Sequence, residues 1–131
     1  MISRRDLRSV ARGRLRDALV LLRARRFDAA FYLSGYAIEL ALKARICRTL
    51  GWPGFPESSQ DFKGLQSVKT HDLEVLLRFS GVEARVRAKH LADWSVVLEW
   101  NPERRYQAIG QSTGQQAADM VNCVKRLLEV L

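Results

Sequence analysis

Phe31-Tyr-Leu-Ser-Gly-Tyr-Ala-Ile-Glu-Leu-Ala-Leu-Lys-Ala44 decides how this chain folds. At about 100° per residue, Phe31, Ile38 and Leu42 fall on one side of a helix and Leu33, Ala37, Leu40 and Ala44 on another. A helix with two apolar sides is buried between neighbours, so this one is predicted to be central. Between those sides runs a polar stripe, Tyr32, Tyr36, Glu39 and Lys43, at helical spacing, with Gly35 beside it to permit close backbone approach.

Working outward, Asp28 is placed to cap this helix, which runs through Ala29 to about Leu50, where Gly51 and Pro53 supply a stop. Upstream, Ser3 and Asp6 have the form of a capping box, and good helix formers continue to about Arg26. Downstream, residues 51 to 69 hold three of the eight Gly and two of the three Pro and show no sustained period, so they read as a long loop. Thr70 is positioned to cap a short helix from His71 to about Ser80. Gly81 separates that helix from a fourth, from about Val82 to Trp100. Asn101-Pro102 opens a further turn through Arg105 and Tyr106, and Ser112 with Gln115 forms a capping-box pattern ahead of a last helix to Leu131, packed through Met120, Val124 and Leu127. No segment alternates with period 2 between turn signals, and no repeat is visible. The expected fold is all-α, an antiparallel up-and-down helical bundle of four long helices plus one or two short ones, in a single domain over residues 1–131.

Of the 131 residues 47% are apolar and 27% charged, which matches a folded chain rather than a disordered one. No apolar run approaches the roughly 20 residues that span a bilayer, and Met1-Ile-Ser-Arg-Arg-Asp6 lacks the apolar core of a secretory signal, so the expected location is the cytoplasm, away from membranes. Cys47 and Cys123 lie in helix-like segments without metal-ligand spacing. They are expected as core thiols, with no metal and no cofactor.

The charge is uneven. Residues 1 to 26 hold nine Arg against Asp6 and Asp17, which accounts for seven of the net +8. Arg5, Arg8, Arg12, Arg16, Arg23 and Arg26 fall within one arc of about 80°, with Leu7, Val10, Ala18 and Leu21 opposite. Two readings fit this face: a stripe of guanidinium groups that grips phosphate oxygens, or a solvated surface. A helix lying in a membrane surface fits less well, because Trp and Phe anchors are missing. The Glu39 and Lys43 pair likewise reads either as an ordinary helix pair or as the polar lining of a site. His90 falls on a face with Val86, Trp94 and Val97. It is either a hydrogen-bonded core histidine or an acid or base for attack at a ribose phosphodiester, with Arg85 or Arg87 to hold the anionic transition state. Arg87 is the nearer of the two in helical angle. His71, at the start of its helix, reads as a capping-region residue.

The helix from Phe31 to Ala44 resembles the signature helix of the HEPN family. Thr70-His-Asp-Leu73 after a long loop, then Trp94 and Trp100, Arg105-Tyr106 and an amphipathic last helix follow in the order seen in stand-alone members, so the resemblance covers nearly the whole chain. It implies an up-and-down helical bundle that pairs into homodimers. Many members bind nucleotide or RNA, some are metal-independent ribonuclease toxins, and many are encoded beside a minimal nucleotidyltransferase. The ribonuclease members carry an Arg, four to six residues, then a His, a spacing met by Arg85-Val-Arg-Ala-Lys-His90, although Val86 stands where the active motif has a polar residue.

Three functions follow as expectations. The first is a HEPN-type nucleotide- or RNA-binding module, part of a toxin–antitoxin or defence pair, acting through the basic first helix and the polar stripe. The second is a metal-independent endoribonuclease using His90 with Arg85 or Arg87. The third is a protein-interaction partner of a minimal nucleotidyltransferase.

Overall fold

The hydroxyl of Ser3 accepts the Asp6 amide at 3.0 Å, the cap its spacing predicts, and α1 (Arg4–Arg23) starts there. In this computed structural model, which describes the backbone of residues 1–131 and every side chain except those of Arg104 and Arg105, α1 turns directly into α2 (Phe27–Leu50). The turn is closed by the Arg25 amide donating to Leu22 O and the Arg26 amide to Leu21 O, with Arg25 itself at φ 61. Asp28 does not cap α2. It sits in the first helical turn and accepts the amides of Gly110 and Ser112 at 2.6 and 2.8 Å, so its carboxylate ties down a distant loop instead. Gly51, at φ 67, ends the helix where a left-handed residue is needed.

The protein is an all-α helical bundle with α2 at its centre. Among the described residues α2 packs against α1, α3 (Leu73–Phe79) and α6 (Gly114–Val130), which is why it is apolar on two sides. Phe31, Ile38, Leu42 and Ile46 are buried with Leu7 and Ala11 of α1 and Met120, Val124 and Leu127 of α6 in one core. Cys47 and Cys123 are buried, free thiols within it.

The later segments differ from expectation in four places. Asp72, not Thr70, caps α3 by accepting the Glu74 and Val75 amides, while the Thr70 hydroxyl accepts the Asp72 amide and so orients the cap. The helix expected over residues 82 to 100 is broken at His90, whose φ of −134° is not helical, into α4 (Glu83–Lys89) and α5 (Leu91–Val97). The described bundle therefore has three long helices and three of seven residues, where four long and one or two short were expected. The last helix is capped one residue later than expected, by Thr113 with Gln116, because the Ser112 amide is already taken by Asp28. Within the 51–69 loop, β2 (Gly54–Phe55) pairs antiparallel with β1 (Ile2–Ser3), a two-residue bridge that no alternation announced. The turn after Asn101-Pro102 forms as a short 3-10 helix, Pro102–Tyr106; the Arg105 side chain lies outside the described residues. Among the described residues no helix is long and apolar enough to cross a membrane.

Candidate functional site

Burying Leu7, Ala11 and Ala18 against α2 turns the opposite face of α1 outward. Arg4, Arg5, Arg8, Ser9, Arg12 and Arg16 line one open groove along it. Of the six arginines in the predicted arc, Arg5, Arg8, Arg12 and Arg16 share this groove. Arg23 lies at the far end of α1, and Arg26 joins Arg25, Phe27 and Tyr32 around a separate hollow closed by Ile109 and Gly110. No carboxylate lies within ion-pair distance of Arg4, Arg5, Arg8, Arg12 or Arg16 among the described residues; on α1 the ion pair is Arg14 with Asp17. The groove is therefore a run of uncompensated guanidinium groups.

The polar stripe of α2 is more enclosed than a lining. Glu39 is only 2% exposed, and its two carboxylate oxygens are taken by Lys43 Nζ at 3.0 Å and His71 Nδ1 at 2.9 Å. Lys43 lies over the Phe55 ring, 5.3 Å from its centre. The Tyr36 hydroxyl is pushed to a higher pKa by burial and then by the nearby Glu39 charge. Trp100 covers the upper end: its ring packs against Gly35 so closely that a Cβ there would overlap it. It also stacks tilted on Tyr32 and donates its indole N–H to the Tyr32 carbonyl at 2.9 Å. Gly35 was expected to admit a neighbouring backbone; what it admits is the Trp100 side chain. The stripe thus forms a buried charge cluster whose exposed end is His71, on the rim of a cleft shared with Leu98, Trp100 and Asn101. His71 was expected only near a helix cap; its bond to Glu39 crosses 32 residues and has no local signature.

Among the described residues no bond joins the three residues read as catalytic, and Arg87 is engaged elsewhere. Arg87 donates to Glu74 at 2.5 Å and Glu83 at 3.3 Å, and Glu74 in turn accepts the Trp94 indole N–H at 2.7 Å, so Arg87 braces α4 against α3. Arg85 is exposed and contributes to the positive field at Arg45 on α2. Val86, Trp94 and Val97 are buried, but His90, at the helix break, is only part-buried. Among the described residues no hydrogen bond or ion pair joins His90 to either arginine. Nearby, Asp93 is held below the usual carboxylate range by a forked contact with Arg126, at 2.8 to 3.1 Å, which ties α5 to α6.

The two thiols are buried, and burial favours their protonated form. Burial raises the Cys47 pKa, and burial followed by Asp93 raises that of Cys123 to about 11. Among the described residues no three His, Cys, Asp or Glu side chains are grouped to hold a metal ion. No family model, no curated protein and no solved structure matches this chain.

Proposed function

We propose that this protein is a HEPN-like module that binds RNA or a nucleotide through the arginine groove of α1. One observation carries the reading: Arg4, Arg5, Arg8, Arg12 and Arg16 line a single groove with Ser9, and among the described residues no carboxylate is within ion-pair distance of them. Guanidinium groups stay charged and hold phosphate oxygens in pairs, and a concentrated positive groove attracts a phosphate chain over long range. The resemblance of Phe31 to Ala44 to the HEPN signature adds what many members do, along with pairing into homodimers and a minimal nucleotidyltransferase partner in a toxin–antitoxin or defence pair.

A metal-independent endoribonuclease is the second reading, favoured by His90 being only part-buried rather than sealed in the core. Arg85 is then the clamp, because Arg87 is engaged by Glu74 and Glu83.

Incubating the full chain with mixed-sequence RNA in the presence of a chelator, beside His90→Ala, separates the two. Retained RNA without cleavage supports the binding module. Cleavage lost in His90→Ala supports the enzyme, and neither binding nor cleavage overturns both in favour of a protein partner.

A further inference from the structure

Where the arginine groove meets the C-terminal end of α6, the chain gathers cations from three helices. Arg8 and Arg12 belong to the groove and also edge a small hollow floored by Ala11 and Ala41 and closed by Leu131. One turn beyond Ala41, Arg45 reaches into the same corner and donates through Nη1 to the Leu131 main-chain oxygen at a long 3.4 Å. Its Nε is the buried side-chain nitrogen that has no hydrogen-bond partner among the described residues. Burial, and then the positive charges of Arg48 on its own helix, Arg85 of α4 and Arg8 of α1, lower the pKa of Arg45. A guanidinium does not lose its proton at neutral pH, so the repulsion remains in the unliganded protein. A buried donor without a partner, set amid like charges, is unfavourable unless an acceptor completes it.

We infer that this corner seats a phosphoryl group, with Arg45 and Arg8 as the inner donors and Arg12 and Arg85 flanking. Its donors are forked guanidinium groups contributed by separate helices, which suits the several oxygens and multiple charge of a phosphate better than a single carboxylate. The inference deepens the RNA- or nucleotide-binding reading and rests on it only for the molecule that carries the phosphate. It also gives Arg85 a place away from His90 and adds Arg45, which looks in the sequence like any cation on a buried helix.

Melting the full chain in phosphate and in chloride at matched ionic strength tests the seat. Phosphate is expected to raise Tm beyond chloride, with the increment lost in Arg45→Met and in Arg85→Gln and kept in Lys63→Gln, a change in the 51–69 loop outside the residues that line the corner. Arg85 is exposed, so its variant folds even where Arg45→Met does not. Titrated phosphate is expected to bind about tenfold more weakly to Arg85→Gln, the scale of one charge-assisted contact. Equal Tm in the two salts for the unaltered chain, or an increment that survives in both arginine variants, overturns the seat. Retained RNA binding in that case leaves the broader reading standing, whereas a phosphate increment without RNA binding keeps the seat and removes the polymer.

Discussion

His71 Nδ1 lies 2.9 Å from Glu39 Oε1, so an exposed imidazole is anchored by a carboxylate sealed inside the bundle. The carboxylate is the costly member of the cluster. Glu39→Ala leaves the Lys43 ammonium without its partner and is expected to cost about 3–5 kcal/mol. His71→Ala, at the solvent end, is expected to cost under about 1 kcal/mol. Urea unfolding of the two variants checks the difference; equal costs would mean that Glu39 is not the structural centre of the stripe.

Gly35 is tied to Trp100 in a different way, by space. A methyl group at residue 35 meets the indole ring, and the ring is itself held by its bond to the Tyr32 carbonyl. Gly35→Ala is expected to destabilise by about 1–3 kcal/mol through overpacking, although alanine is the better helix former. A neutral or stabilising result in thermal unfolding would contradict the packing described.

Acid should weaken the protein through Glu74. The Trp94 indole N–H and then Arg87 hold its carboxyl below the ordinary value of 4.5. A carboxyl that is more acidic folded than unfolded adds stability above its unfolded pKa, and that contribution disappears as pH falls through the lower folded value. Stability is therefore expected to decline from about pH 5 downward, and Glu74→Gln should flatten that decline while lowering stability at pH 7. Denaturant midpoints measured across this range decide the point.

Asp28 holds the loop ahead of α6 by accepting the Gly110 and Ser112 amides. Removing it leaves those donors without their acceptor, at a cost of about 1–3 kcal/mol. Asp28→Ala is expected to speed proteolytic cutting between residues 106 and 112 while the helical far-UV signal is kept. Unchanged cutting would show that other contacts hold the loop.

The long helices were legible because their signals are local. Ser3 before Arg4, Gly51 after Leu50 and the apolar sides of α2 each specify structure from neighbouring residues. The break at His90 was not, since Ala88, Lys89, Leu91 and Ala92 contain no turn former. The contacts that accompany it are distant ones, Trp94 with Glu74 and Asp93 with Arg126. Helical angle alone gives Arg5, Arg8, Arg12 and Arg16 of the arginine groove but misses Arg4 and adds Arg23 and Arg26, whereas His71 on Glu39 and Arg45 among Arg8 and Arg85 come together only through tertiary packing.

The salt dependence of RNA binding tests the arginine groove of α1 most directly. For a single-stranded RNA, the logarithm of the binding constant is expected to fall linearly with the logarithm of salt concentration. The expected slope is about −2 to −4, the counterion release of roughly three to five phosphate contacts at about −0.7 each. Replacing Arg5, Arg12 and Arg16 together by Gln should weaken binding at every salt concentration and make the slope shallower by about 2. A slope near zero, or a triple variant that binds like the unaltered chain, would contradict the claim that this groove grips phosphates.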